Sequence, residues 1–268
     1  MRTLTFPSHL VGISARCCLY ETESLSLHYP GQTPRSYDSP SVRRDLVDLY
    51  FPIWPDERLS IIRIRKEKKE PNECLEVVTS RGRSVCFGPN PRYEKYDYHE
   101  VYSCDQGQIK TIFMTIRSSK ERLAFGVVVE RQSTDSSAIG STEPIQGPIR
   151  SSRYYGDILT EANLEGLMHY RCRYSYGFES SVVQGVWLTT MQGDYAIGQW
   201  QWDDLVSAPF DGRHGLRFLS QTSEYGIGHV QVQQYGEEKA EGELATSMHK
   251  VLWWIGAQGD RVEILSRE

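Results

Sequence analysis

Leu75-Glu-Val-Val-Thr-Ser-Arg-Gly-Arg-Ser-Val-Cys-Phe-Gly88 decides the fold class. Two β-prone runs, 74–79 and 84–87, flank Arg81-Gly82, and a glycine ends the second run. Glycine accepts the backbone angles that tight hairpin turns demand, so the stretch reads as strand, turn, strand. Val186-Trp-Leu-Thr-Thr-Met-Gln-Gly-Asp-Tyr-Ala-Ile-Gly198 has the same layout. The pattern spreads outward from both. Residues 59–65, 109–116 and 124–129 in the first half are β-branched and partly alternating. So are 182–190, 195–202, 216–219, 229–232, 251–255 and 261–265 in the second, punctuated by Gly193-Asp194, Gly226/Gly228 and Gly256/Gly259-Asp260.

A second repeat runs through the chain. Leu10-Val-Gly-Ile13 is followed by Leu25-Ser-Leu-His-Tyr-Pro-Gly31, and Leu164-Glu-Gly-Leu167 by Val186–Gly193. Ile109–Ile112 leads to Leu123–Val129 in a related way, without the glycine. Hairpins that cannot bury a face alone pack against one another. The expectation is an all-β chain, a β-prism or β-sandwich of pseudo-repeated antiparallel hairpins with few short helices. Those helices are expected at 41–50, with Ser41 as N-cap after Pro40, and at 157–167. Residues 132–152, rich in Ser, Thr, Gly and Pro, read as a linker between a first β half, 1–131, and a second, 153–268, packed with the first as one unit. Residues 90–105, with Tyr93, Tyr96, Tyr98 and Tyr102, read as a long irregular stretch, and Lys66-Glu-Lys-Lys-Glu70 as a solvated hairpin tip.

Composition excludes several function classes. The 268 residues are 39% hydrophobic and 24% charged, which suits a folded chain with a full core. Thirty basic against thirty-five acidic side chains leave a net charge of −5, a poor field for nucleic acid. No stretch reaches bilayer-spanning length, and the N-terminus lacks a signal-peptide apolar run, so the chain reads as cytoplasmic, away from membranes. The six cysteines are scattered and form no C-x-x-C, which suits reduced thiols. HExxH, P-loop, complete GxGxxG and G-x-S-x-G motifs are absent, and the histidines stand singly. The sequence therefore predicts no metal and no cofactor.

The second half is dense in aromatic and cationic residues. If 168–176 is a strand, His169, Arg171, Arg173 and Ser175 share one face and Tyr170, Cys172, Tyr174 and Tyr176 the other. Trp200 and Trp202 share a face of another strand, and Trp187 points from a third. Two readings fit. The tryptophans fill a core while the arginines snorkel, or they wall a pocket with a few polar groups at one end.

Glu57-Arg-Leu-Ser-Ile-Ile-Arg-Ile-Arg65, followed by Leu75–Pro89, resembles the paired strands of jacalin-like β-prism domains, whose pattern runs E-x-I-x-x-I, L-x-F-x-T-N-x-G-R, G-P. Residues 109–129 resemble their closing strand pair, and Ser80 stands where Asn is usual. The whole layout (LVGISAR at 10–16, RGRSVCFGPN at 81–90, GDYAIGQWQWD at 193–203, LWWIGAQGDRVEIL at 252–265) resembles a fungal family of β proteins. It also resembles the fungal hetero-Diels–Alderases that join tropolone units to a humulene-type sesquiterpene.

The last resemblance implies a cofactor-independent pericyclase of secondary metabolism acting on small apolar and aromatic substrates, with a homo-oligomer allowed. Its chemistry asks for a hydrogen-bond donor at a quinone-methide or tropolone oxygen and for aromatic walls. His169, Arg171 and Arg173 are the candidates for the catalytic polar end, and Tyr170, Tyr174, Trp187, Trp200 and Trp202 for the substrate-binding walls. The jacalin resemblance implies instead a carbohydrate-binding lectin. Its sugar loop, G-x-x-x-D, matches Gly256-Ala-Gln-Gly-Asp260, with Gly256 and Asp260 as sugar-binding residues. A protein-interaction module without a small ligand is the third reading.

Overall fold

The 75–88 hairpin forms as its sequence dictates. In the computed structural model, Leu75 pairs with Phe87 and Val78 with Ser84, and Gly82 takes a φ of 75° in the turn between them. The structure describes residues 2–5, 9–18, 22–31, 46–67, 73–90, 96–115, 124–130, 157–175, 182–201, 206–223, 227–234 and 242–266. All regular structure among them is strand, except one 3-10 turn at Cys104–Gln106. No helix among the described residues is long and apolar enough to cross a membrane.

The first half holds β1 (Arg2–Thr5), β2 (Gly12–Cys17), β3 (Thr22–His28), β4 (Val47–Pro52), β5 (Leu59–Glu67), β6 (Glu73–Thr79), β7 (Ser84–Phe87), β8 (Tyr96–Ser103), β9 (Gln108–Thr115) and β10 (Ala124–Glu130). They form antiparallel sheets ordered β3-β2-β4, β7-β6-β5-β8 and β1-β9-β10. The second half holds β11 (Ile158–Asn163), β12 (Leu167–Tyr174), β13 (Val183–Thr190), β14 (Asp194–Gly198), β15 (Phe210–Asp211), β16 (Leu216–Thr222), β17 (Gly228–Gln234), β18 (Glu243–Ala245), β19 (His249–Ile255) and β20 (Arg261–Ser266). Their pairing gives β14-β13-β12-β15, β17-β16-β18 and β11-β19-β20, and one pair, Val183 with Val230, fuses the first two into a seven-stranded sheet.

Both halves obey one rule. Each sheet is built on a hairpin, a third consecutive strand is optional, and a strand from elsewhere in the same half lies on the free edge of the hairpin's first strand, in Greek-key fashion. In the last sheet of each half that edge strand is the half's own first strand, β1 or β11. Among the described residues no strand pair crosses from one half to the other. The two glycine hairpins, β6–β7 and β13–β14, each follow the first strand of their sheet, and Leu10 and Leu164 precede β2 and β12, which open the first sheet of each half.

Two expected helices give way to strands. Residues 158–163 pair with β19 from Ile158–Ile255 to Asn163–Lys250. Ile158, Thr160 and Ala162 are buried while Glu161 is exposed, so a period of two prevails over a three-turn helix. Val47–Tyr50 lies in β4, which pairs with β2 from Cys17–Val47 to Gly12–Pro52 and buries Val47, Leu49 and Phe51. Residues 41–45 lie outside the described residues, as does the expected linker at 132–152. Within the stretch read as irregular, 96–103 is β8, an edge strand paired antiparallel with β5. The strand expected at 195–202 stops at Gly198.

One hydrophobic cluster runs through both halves and includes Leu49, Phe87, Ile158, Val186 and Ile197. The halves meet where β4 and β7 face β11 and β14. The Trp54 indole donates to the Asp194 carbonyl (2.8 Å), Asn90 N–H to the Asp157 carbonyl (2.7 Å) and Trp200 N–H to the Asp48 carbonyl (3.0 Å). Gly12 is required at this seam. A Cβ there would lie 2.1 Å from the Tyr50 hydroxyl, whose ring crosses over the glycine between His28 and Trp187. Gly12→Ala is expected to push that ring aside at a cost of about 1–3 kcal/mol. The measurement is a lower urea midpoint with an unchanged slope.

Candidate functional site

The seam between the halves opens into a cleft of about 380 Å³, within the range of small-molecule pockets. Strand alternation explains its first wall. On β5, Ile62 is buried in the core, and Arg63 and Arg65, two residues apart, line the cleft. Arg63 pairs across the ladder with Glu76 on β6 and forms an ion pair with it (Nε to Oε2, 2.6 Å). The Arg63 guanidinium lies 4.0 Å from the ring centroid of Tyr98, contributed by β8. The second half supplies the opposite wall: Leu159 and Glu161 from β11, Tyr195 and Ala196 from β14, and Lys250 from β19, which holds Glu161 at 2.8 Å.

Arg83 clasps the two halves beside the cleft. Its Nε–H donates to Glu57 Oε1 (2.8 Å), one Nη to the Pro52 carbonyl (2.6 Å) and the other to the Asp194 carbonyl (3.2 Å). Its plane lies 4.0 Å from the Trp54 ring and 5.2 Å from Tyr195. Tyr50 also lines the cleft. Burial, together with the Asp194 charge, pushes its hydroxyl up to about 12, so it stays a neutral donor at physiological pH. Burial lowers the neighbouring His28, whose Nε2 lies 2.7 Å from Ser14 Oγ.

The residues singled out from the sequence gather elsewhere. β12 forms as expected, with His169 exposed, Arg171 half-buried and Tyr174 half-buried. Tyr170 is 1% exposed and packs on Phe210, so it belongs to the core. Arg173 is buried and donates to Gln184 and to Gln201 (3.4 Å to the latter). Gln201 donates onward to Asp48, which also accepts from Arg16 (2.9 Å). Trp200 is 1% exposed and lies 5.6 Å from Trp187, which in turn lies 5.7 Å from Tyr50. Trp202 lies outside the described residues. An aromatic row thus runs from the cleft wall at Tyr50 through Trp187 to Trp200, and of the β12 cations Arg173 joins the Gln184–Gln201–Asp48 network. None of the β12 residues lines the cleft.

Sequence reasoning missed Arg63, Glu76, Tyr98, Glu161, Tyr195 and Lys250. One signal was available: two arginines at i and i+2 on a strand whose alternate positions are isoleucine.

Gly256–Asp260 is the turn of the last hairpin, β19–β20. The Asp260 carboxylate accepts from the Trp253 indole at 3.0 Å. Burial pushes the Asp260 carboxyl up, the Trp253 hydrogen bond pulls it down and the Asp157 charge adds to the rise, leaving it at about 7. Asp157 Oδ2 accepts from Arg261 (2.7 Å), and a Cβ on Gly256 would lie 2.1 Å from Asp157 Oδ1. The folded state therefore binds the Asp260 proton more tightly than the unfolded chain does, and stability falls as pH rises from about 4 to about 7. Asp260→Asn is expected to flatten that slope, matching the wild type near pH 4 and exceeding it at pH 8. Urea titrations at the two pH values check this.

No family model matches this chain, and no curated protein matches it.

Proposed function

We propose that the chain is a cofactor-independent pericyclase of fungal secondary metabolism, catalysing the intermolecular hetero-Diels–Alder union of a tropolone quinone methide with a humulene-type sesquiterpene, and that the cleft between the halves is its site. The observation that carries the reading is the cleft itself: a chamber of about 380 Å³ with tyrosines on both walls, three arginines (Arg63, Arg65 and Arg83) on one and a lysine–glutamate pair on the other. It supports a flat, oxygenated ligand stacked on Tyr98 or Tyr195 with its oxygens toward Arg63.

The chemistry asks little of the protein beyond position and charge. Loss of one water from a hydroxymethyl precursor gives the quinone methide. Its oxygen and exocyclic carbon then add across one alkene of the terpene, forming one C–O and one C–C bond with nothing expelled. Holding the partners in a reactive pose can supply about 7–11 kcal/mol. Arg63 donates to the oxygen on which electron density builds. In this reading Lys250 is the proton donor and Glu161 the acceptor that assist the loss of water. The protein is expected to work in the cytoplasm on apolar substrates. Incubation with both precursors should accelerate adduct formation and favour one enantiomer. Spontaneous rate and a racemate would overturn the reading.

A second reading is favoured by one observation. The Gly256–Asp260 turn has G-x-x-x-D spacing and closes the last hairpin of a half built from three Greek-key units. This supports a jacalin-like lectin, although Trp253 already occupies one oxygen of Asp260. A glycan retained by the wild type and lost in Asp260→Asn would favour it.

A further inference from the structure

Cys74 on β6 and Cys86 on β7 place their sulfurs 3.0 Å apart. Glu76 is the direct partner of Cys86, so Cys74 sits diagonally across the ladder on the same face. Gly88 makes the approach feasible: it holds a φ of 133°, and a Cβ there would lie 2.8 Å from that of Cys74. On the other edge of β6, Arg65 is the direct partner of Cys74. Its guanidinium spans both sulfurs, with Nη2 2.6 Å from Cys86 Sγ and Nε 3.5 Å from Cys74 Sγ, and Asn90 Oδ1 accepts from Nη2 at 3.0 Å. Cys86 lines the cleft and Cys74, at 3% exposure, lies behind it. Both are free thiols.

A guanidinium beside a thiol favours the thiolate, the form that attacks oxidants. The S–H of Cys86 donates to Cys74 and pulls it down, burial pushes it up, and Arg65 pulls it down again, leaving Cys74 at about 7. Cys104, by contrast, is exposed and sits beside the Ser60 hydroxyl.

We propose that Cys74 and Cys86, held under Arg65 and open to the cleft through Cys86, form a peroxide-sensitive dithiol that closes reversibly to a disulfide. The thiolate of the pair attacks hydrogen peroxide; an S–O bond forms, the O–O bond breaks, and the departing hydroxide takes a proton from solvent. The second thiol then loses its proton and its sulfur attacks the sulfenic sulfur. An S–S bond forms and the oxygen leaves as a second water. Two thiols are oxidised by two electrons and one peroxide is reduced to two waters. Closing the bond takes both sulfurs from Arg65 and shifts the wall that carries Cys86, so the cleft is altered with it.

The test uses reduced full-length protein, one equivalent of hydrogen peroxide at pH 7, timed alkylation and peptide mapping by mass. The expected result is a Cys74–Cys86 cross-linked peptide, lighter by two hydrogens, restored by dithiothreitol and formed at least tenfold faster than Cys104 is oxidised. In Cys86→Ser, Cys74 should react no faster than Cys104. Cys104 reacting as fast as the pair in the wild type, or loss of both thiols without the cross-link, would overturn the proposal. The comparison with Cys104 is internal to the wild type and holds even where the variant does not fold.

Discussion

Glu57→Ala is expected to cost about 3–5 kcal/mol, a large share of the roughly 5–15 kcal/mol that holds a domain together. The Glu57 side chain is fully buried and that of Arg83 is 10% exposed. One oxygen of Glu57 accepts from Arg83 Nε (2.8 Å) and the Thr79 hydroxyl (2.6 Å), and the other from Trp54 N–H (3.0 Å). Removing the carboxylate leaves a buried guanidinium without its counter-charge, and that guanidinium also ties Pro52 in the first half to Asp194 in the second. Burial pushes the Glu57 carboxyl up, but the hydrogen bonds from Arg83, Thr79 and Trp54 and the charge of Arg83 hold it below the usual carboxylate range. Its folded pKa is thus below its unfolded one. The stabilisation is full above the ordinary glutamate value and is lost as pH falls below it. The difference between wild type and Glu57→Ala in urea should accordingly shrink as pH drops from 6 toward 3. A difference below 1 kcal/mol at pH 7 would show that the clasp does not hold the halves.

Arg63→Lys should lower turnover of the tropolone–terpene coupling by about ten- to a hundredfold, the loss of roughly 1.5–3 kcal/mol for a charged hydrogen bond. Lysine keeps the charge that faces Glu76 but loses the planar fork that reaches two oxygens at fixed angles and stacks on Tyr98. Folding should survive. Arg173→Lys is the informative partner. Arg173 is committed to Gln184 and Gln201, and through Gln201 to Asp48, so its replacement should show in stability and leave the rate near that of the wild type. A rate lost in Arg173→Lys and kept in Arg63→Lys would return the polar end of the site to the β12 face carrying His169 and Arg171.

Much of the fold was legible because hairpins are local. The glycine turn at Arg81-Gly82 and the one at Gly193 announce themselves within a dozen residues. Residues 158–163 were not legible in the same way. Their short polar-apolar mix suits a helix as well as a strand, and only the edge offered by β19, about ninety residues later, decides between them. The cleft was less legible still. Its walls come from β4 to β8 on one side and chiefly β11, β14 and β19 on the other, and no spacing within either segment announces the other. Trp187 and Trp200 stand out in the sequence by the size of their rings alone. Trp200 proved to be core, which is the commoner use of a large ring.

The most direct measurement fills the cleft. Ala196 on β14 lines it opposite the arginine wall, and Ala196→Phe adds a ring to a chamber of about 380 Å³. With the hydroxymethyl tropolone and humulene alcohol as substrates, wild-type protein is expected to form one enantiomer of the adduct well above the spontaneous rate. Ala196→Phe, with an unchanged unfolding midpoint, is expected to lose at least tenfold of that rate and the enantiomeric excess with it. A folded Ala196→Phe as fast and as selective as the wild type would contradict the cleft as the site, and a wild type no faster than the uncatalysed reaction would contradict the cycloaddition itself.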